Sequence, residues 1–327
     1  MRAILHIGGE KTGSTSIQWL LEANRAALAA AGFGVPRGLG GSNHVALAAY
    51  AGREMMVRDL LGMLDEPQGL AGLRAWLPAR LAMLLGGQPA GIHTMLFSNE
   101  HCQSRLHTPE EVARLRDLLA PHFSQVVVLV YLRRQDQVVI SSRNTSLRSH
   151  GRLPAAWFPT EPGQLALLDH ALLLQRWGQV FGAAALRPRL YQADEATHLQ
   201  DFLDAIGAPP LPLNPPRRLN RSLGPAAEAW LVGQGAGGAW PLPGMAALLK
   251  VLETEYPGPG ARPARAEAAR FLARFAASNQ VVRDTWFADR PSLFDTDLSD
   301  YPEQATPPPS AAEIAALAER MALVAQG

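Results

Sequence analysis

Three short and nearly uninterrupted apolar runs stand out along the first part of the chain: Ala3–Ile7, His93–Ser98 and Gln125–Leu132. Runs that are apolar at both alternating sets of positions predict strands buried on both faces, as in a parallel sheet. A fourth, weaker run lies at Pro188–Gln192. Between the runs, apolar residues recur at helical spacing over Ile17–Ala31, Leu70–Leu85, Pro109–Leu119, Gln135–Arg148 and Leu165–Val180. Thr108-Pro109-Glu110-Glu111 is a helix start with a capping hydroxyl, proline at the first position and acids in the first turn. Strand–helix alternation predicts an α/β fold, a P-loop-like open parallel sheet flanked by helices. Beyond the proline-rich stretch Ala208–Arg218 the pattern is helical only, at Pro225–Val232, Met245–Glu255, Pro263–Ala277 and the tail Pro308–Gln326. The expected organisation is an α/β core over 1–224 and a mostly helical C-terminal extension over 225–327, a cap or a substrate lid. No internal repeat is visible.

Composition narrows the function classes. With 30 Lys and Arg against 29 Asp and Glu, the 327-residue chain has a net charge of +1. It therefore lacks the basic field that drives non-specific nucleic-acid binding, and no nucleic-acid partner is expected. The single cysteine, Cys102, excludes an internal disulfide framework and a cysteine-rich metal site, and suits a reducing compartment. No apolar run reaches bilayer-spanning length, and Met1-Arg2 leads straight into a strand without an apolar leader. A cytoplasmic protein is expected. Richness in Ala, Leu, Gly, Pro and Arg fits a GC-rich bacterial genome.

In open parallel sheets the ligand sits beyond the C-terminal ends of the strands, so the residues after each strand carry the candidate chemistry. After the first come Gly8-Gly9-Glu10-Lys11-Thr12-Gly13-Ser14-Thr15-Ser16, leading into an amphipathic helix that runs to about Ala31. Backbone amides, a helix N-terminus, hydroxyls and a lysine gathered at one point make a phosphate site. Gly8, four residues, Gly13, Ser14 and Thr15 follow the Walker A spacing, but the lysine sits inside the loop at Lys11 instead of after the second glycine. The loop thus predicts a phosphate grip unlike that of an ordinary nucleoside triphosphatase. After the second strand come Asn99-Glu100-His101, two titratable side chains placed for general-base work. After the third come Arg133 and Arg134, then a helix carrying Ser141, Ser142 and Asn144. An arginine fork and a serine hydroxyl from the following helix can converge on one anionic group.

Together, the Lys11-Thr12-Gly13-Ser14-Thr15 loop after the first strand and an Arg…Ser pair after the third resemble the PAPS-dependent sulfotransferases, closest to their bacterial, carbohydrate-type branch. The resemblance runs over about the first two-thirds of the chain. It includes Leu190–Gly207, a short strand followed by a helix ending Phe202-Leu203-Asp204-Ala205-Ile206-Gly207, and then Asn220-Arg221-Ser222-Leu223. It implies that Lys11, Thr12, Gly13, Ser14, Thr15 and Ser16 hold the 5′-phosphosulfate of 3′-phosphoadenosine 5′-phosphosulfate (PAPS), and that Arg133 and Ser141 hold its 3′-phosphate. Arg134 and Ser142 have the same separation; Arg133 and Ser141 are preferred because Arg133 is nearer the strand end. Animal cytosolic members place an aromatic residue after the paired hydroxyls to stack on adenine. Here that position is Ser16, so adenine contact must come from elsewhere. The resemblance nominates Glu100 first and His101 second as the base, with His44 a third candidate. His6, on a strand, is expected to be a core residue.

The chemistry so implied needs no metal. Lys11 stabilises the departing bridging oxygen, and Glu100 or His101 takes the proton of an acceptor hydroxyl. That acceptor is expected on a bacterial carbohydrate or glycolipid, with a small-molecule alcohol as the alternative, in a pocket drawn from Gly34–Gln68, Gly151–Pro162 and the C-terminal third. A P-loop nucleotide kinase is the rival enzyme. It predicts a lysine after Gly13 and a magnesium-binding acid at a neighbouring strand end, where only Glu100 could serve. A catalytically silent nucleotide-binding scaffold is the other alternative, and it would be expected to lose Lys11 or the base.

Overall fold

The computed structural model describes residues 1–65, 69–214, 222–238 and 240–326. Asn220 and Arg221 of the Asn-Arg-Ser-Leu motif, residues 215–218 of the proline-rich stretch and Gln68 lie outside them. The elements run β1 (Arg2–His6), α1 (Ser14–Ala23), α2 (Arg25–Ala30), β2 (Phe33–Gly34), α3 (Ala46–Ala51), α4 (Glu54–Leu61), α5 (Gly69–Gly86) and β3 (Thr94–Ser98). They continue with α6 (His101–Arg105), α7 (Pro109–Leu119), β4 (Gln125–Leu132), α8 (Gln135–His150), α9 (Pro162–Leu168), α10 (His170–Phe181), β5 (Leu186–Leu190) and α11 (Glu195–Ile206). Last come α12 (Pro225–Ala236), α13 (Met245–Glu255), α14 (Arg265–Ala273), α15 (Ala276–Trp286) and α16 (Ala311–Gln326). No described helix is long and apolar enough to cross a membrane.

The chain divides into two compact units. The first comprises Met1–Arg133, Ala166–Arg217 and Val281–Ala288 and holds the whole sheet, which is parallel throughout in the order β2-β3-β1-β4-β5. Central β1 pairs on both sides, Ile4 opposite Leu96 of β3 and Val127 of β4. Helices cover the sheet, so its inner strands bury both sets of side chains, as their unbroken apolar runs require. Ile17, Leu20 and Leu21 of α1 pack with Leu199, Phe202 and Ile206 of α11 on Ile4, Leu96 and Leu129. Pro188 is accommodated in β5 because that strand is an edge. From β1 the chain moves toward β2, and from β4 it moves the opposite way toward β5. A crevice at such a switch opens beyond the C-terminal ends of β1 and β4.

Some elements depart from the expected pattern for visible reasons. The helix expected to reach Ala31 is two, broken at Asn24, whose amide Nδ2 donates to Leu20 O and whose Oδ1 accepts from the Asn214 backbone. Likewise Leu165–Val180 is divided at Asp169, whose carboxylate caps α10 by accepting from Leu172 N. The pair of residues in β2 is too short to carry any periodicity. In contrast, α7 has its expected bounds and a complete capping box between Thr108 and Glu111.

The second unit comprises Arg134–Leu165, Arg218–Gln280 and Asp289–Gly327. It is helical, with Leu147 of α8, Leu231 of α12, Leu252 of α13 and Leu317 and Met321 of α16 in one apolar cluster. Arg148 of α8 pairs with Glu253 of α13 at 2.6 Å.

Candidate active site

The loop between β1 and α1 is held in an unusual backbone path. Gly8, Gly9 and Gly13 have φ of 80°, 87° and 78°, and Lys11, not a glycine, has φ 65°. A side chain at Gly8 would place its Cβ 2.5 Å from Glu100 Cα, and one at Gly9 would lie 2.6 Å from the Tyr131 carbonyl oxygen. Both glycines are therefore required by close approach as well as by φ. The left-handed Lys11 persists because its surroundings over-determine it. Arg133 Nη1 donates to Lys11 O at 2.7 Å, and Thr12 Oγ1 donates to Gly9 O at 2.6 Å. The loop is thus tied to the end of β4 and to itself.

The loop delivers the chain into α1 at Gly13, an N-cap residue that makes no side-chain cap hydrogen bond. The amides opening an α-helix have no intrahelical acceptors, so the ends of Ser14, Thr15 and Ser16 are donors beside the positive pole of the helix. Their side chains differ. Thr15 is exposed, Ser14 is buried with its hydroxyl 3.4 Å from Gly9 O, and the Ser16 hydroxyl donates to Glu195 at the start of α11. Thr12 is buried and committed to the loop. Gly13 lies against His198, whose ring a Cβ there would meet at 2.7 Å.

Lys11 is partly buried. Burial lowers its ammonium pKa, the carboxylates of Glu10 and Glu100 oppose that, and Arg133 adds to it. The structure therefore brings Lys11, Glu100 and Arg133 into one electrostatic neighbourhood at the C-terminal ends of β1, β3 and β4. Arg133 is stacked on Tyr191, its guanidinium carbon 4.5 Å from the ring centroid. Its carbonyl accepts from His170 Nε2 at 2.9 Å, and burial pushes the His170 pKa down to about 4, so that ring is neutral.

Glu100 stands at the N-cap position of α6, and its Oε2 accepts from Gln18 Nε2 of α1. His101 opens α6, its backbone N–H donating to Asn99 Oδ1 at 2.9 Å. Asn99 is wholly buried and also donates to the carbonyls of His6 and His44, which pins the segment after β3. His44 is held differently from the other candidate bases. Its Nδ1 accepts from Ser98 N at 3.1 Å and its Nε2 faces Pro36 O at 2.9 Å. Both ring nitrogens serve the backbone, and burial lowers the pKa. His6 is buried as expected, with Nδ1 2.8 Å from Ser98 Oγ.

The two neighbouring arginines have separate roles. Arg134, in the second unit, is buried in a two-bonded pair with Asp136, both contacts 2.9 Å, and also donates to the Asp295 and Asp297 carbonyls. Arg133 reaches the loop in the first unit. Ser141 and Ser142 lie partly exposed on α8 in the second unit.

Gln18, Tyr191, His170 and Glu195 were not singled out by sequence. Gln18 could have been: it is a polar residue inside the apolar stripe of Ile17, Leu20 and Leu21, one turn from Ser14. Tyr191 could have been found by inspecting the residue after the last strand.

No family model and no curated protein matches the chain. A sulfotransferase crystal structure from Alicyclobacillus acidocaldarius is similar at a TM-score of 0.45 and 14% identity, over 85% of this chain and 94% of that one.

Proposed function

We propose that this chain is a PAPS-dependent sulfotransferase that acts on an acceptor hydroxyl. The observation that carries the reading is the meeting of Lys11, Glu100 and Arg133 around an uncapped helix N-terminus. The residues fit such a donor. Three glycines and a left-handed lysine make a backbone cradle, and the cradle leads into the opening amides of α1, which Gly13 does not cap with a side chain and which suit an anion.

When bound, PAPS supplies an activated sulfuryl group on a phosphate leaving group. Lys11 would hold its ammonium toward the bridging oxygen, where negative charge would grow as the sulfur–oxygen bond broke. The amides of Ser14 to Ser16 add fixed donors there. Glu100 takes the acceptor's proton as its oxygen bonds to sulfur, with His101 the next candidate for that step. Arg133 orients the 3′-phosphate, and Ser141 is assigned the same role from sequence spacing alone. Tyr191 braces the Arg133 guanidinium. Because Ser16 is tied to Glu195, the adenine contact is assigned to neither the serine nor an aromatic side chain at its position. The acceptor is read as a carbohydrate or glycolipid hydroxyl on the strength of the family branch the motifs resemble.

Isothermal titration with 3′-phosphoadenosine 5′-phosphate, against ATP with magnesium, tests the reading. Binding of the bisphosphate that weakens in both Arg133→Ala and Lys11→Ala supports it. Binding of ATP with magnesium and no response to the bisphosphate overturns it in favour of a nucleotide phosphotransferase.

A further inference from the structure

Behind Glu100 runs a buried line of polar side chains drawn from three elements. Gln18 of α1 is 6% exposed. Its amide nitrogen donates to Glu100 Oε2 and lies 3.4 Å from Ser98 Oγ, at the end of β3. Ser98 in turn sits 2.8 Å from Nδ1 of His6, on β1. Both Ser98 and His6 are buried.

The Gln18 amide fits this line in one orientation. A carboxylate only accepts, so the nitrogen of the Gln18 amide, and not its oxygen, must face Glu100. The other N–H of that amide lies toward Ser98 Oγ, and a hydrogen bond of 2.8 Å joins Ser98 Oγ to His6 Nδ1. Burial keeps the His6 ring neutral, its pKa pushed down to about 3, so one ring nitrogen carries the proton and the other accepts. The Gln18 amide therefore has a fixed orientation, since a flip would oppose its oxygen to Glu100 Oε2. The Gly8 backbone passes close to the Glu100 Cα and Cβ, and the Glu100 carboxylate interacts with the Lys11 ammonium.

We propose that Gln18 is a positioning residue for Glu100, holding Oε2 so that Oε1 is the atom presented to the acceptor proton. The proposal rests on the reading of Glu100 as the base. Its consequence is mechanical. The helix whose N-terminus is assigned to the donor carries, one turn further on, the side chain that aims the base. Donor site and base are thus spaced by one rigid element, and small errors in such spacing cost rate.

The test is the carbon-13 NMR spectrum, at one neutral pH, of the full-length protein labelled at its glutamate carboxyls, the Glu100 signal being assigned by its loss in Glu100→Gln. Gln18→Met keeps the length and removes the donor. Loss of the hydrogen bond to the carboxylate should move the Glu100 carboxyl signal and leave the other glutamate signals in place. Turnover of PAPS with water as acceptor should fall about tenfold at unchanged KM for PAPS and unchanged affinity for the bisphosphate. Gln18→Glu retains the shape of the side chain and guards against misfolding in the first variant. There an oxygen stands where the donor N–H stood, so the Glu100 signal should move again and turnover should fall at least as far. A purely structural role for Gln18 would lower the urea midpoint and leave the Glu100 signal and the turnover of the folded protein where they are, and that result in both variants overturns the proposal. Failure of the wild-type protein to bind the bisphosphate, with the Glu100 shift intact, instead overturns the sulfotransferase reading on which the catalytic purpose depends.

Discussion

Two arginine-centred regions of this protein use similar groups for opposite ends. Around Arg134 in the second unit, the guanidinium meets both oxygens of Asp136, and Asp136 accepts a further bond from Tyr301 at 2.7 Å. Two backbone carbonyls complete the set. Asp136 is fully buried and lies in the first turn of α8, where a negative charge also suits the helix dipole. Around Arg133 in the first unit the backbone is forced into left-handed conformations, the helix it feeds has no side-chain cap, and the side chains of Lys11, Glu100 and Arg133 remain partly exposed. One region is built to hold the fold. The other holds a shape that costs free energy, which is where binding and catalysis are found.

The contrast is broken most directly from the stable side. Asp136→Ala leaves the Arg134 guanidinium buried without its carboxylate. Removing one partner of a buried pair costs about 3–5 kcal/mol, and the urea midpoint should fall accordingly. Lys11→Ala should do the reverse, with little change in the urea midpoint but a fall in PAPS turnover of about 100- to 1000-fold. If Asp136→Ala were mild and Lys11→Ala unfolded the chain, the assignment of structural and functional roles would be inverted.

The same contrast governs what could be read from sequence. The buried strands were legible because a parallel sheet forces apolar side chains onto both faces, and α7 was legible because its cap is local chemistry. The loop motif directed attention to Lys11, and the strand-end rule directed it to Glu100 and Arg133. Sequence spacing could not separate Arg133 from Arg134, since both precede a serine by the same interval. Their difference is tertiary, set by Asp136, Tyr301 and two distant carbonyls on one side and by the Lys11 carbonyl on the other. The breaks at Asn24 and Asp169 were hidden for a related reason. Each is a single polar residue inside an acceptable helical pattern, and what stops the helix is a hydrogen bond made elsewhere or a cap for the next one.

Acidification sharpens the comparison within the first unit. His6 and His170 are buried there with pKa values of about 3 and about 4, below the ordinary 6.5, and burial is the main cause of each shift. A histidine whose folded pKa is depressed binds fewer protons folded than unfolded, so stability rises with pH across that interval. Its contribution is complete above pH 6.5 and is lost progressively as the pH falls toward the folded values. Each histidine adds a slope of about 1.4 kcal/mol per pH unit. His6→Asn, which keeps a polar atom near Ser98, should therefore flatten the pH dependence of the urea midpoint in the acid range by about that amount. An unchanged slope would mean that His6 is not held neutral by burial.

The smallest effect is the most diagnostic. Lys11 adopts φ 65°, a region that costs a residue with a Cβ about 1–2 kcal/mol. Lys11→Gly removes that strain, while the greater freedom of glycine in the unfolded chain returns part of the gain. The net expectation is stabilisation of about 0.5–1 kcal/mol, read as a higher urea midpoint, together with weaker binding of 3′-phosphoadenosine 5′-phosphate. The carbonyl that Arg133 grips is retained in the variant, so the loop path is kept and only the ammonium is lost. A stabilised protein with impaired binding would show that the strain at Lys11 is tolerated for the sake of its side chain. A destabilised one would show that the Lys11 side chain itself braces the loop, and the division between the two arginine regions would lose its sharpest support.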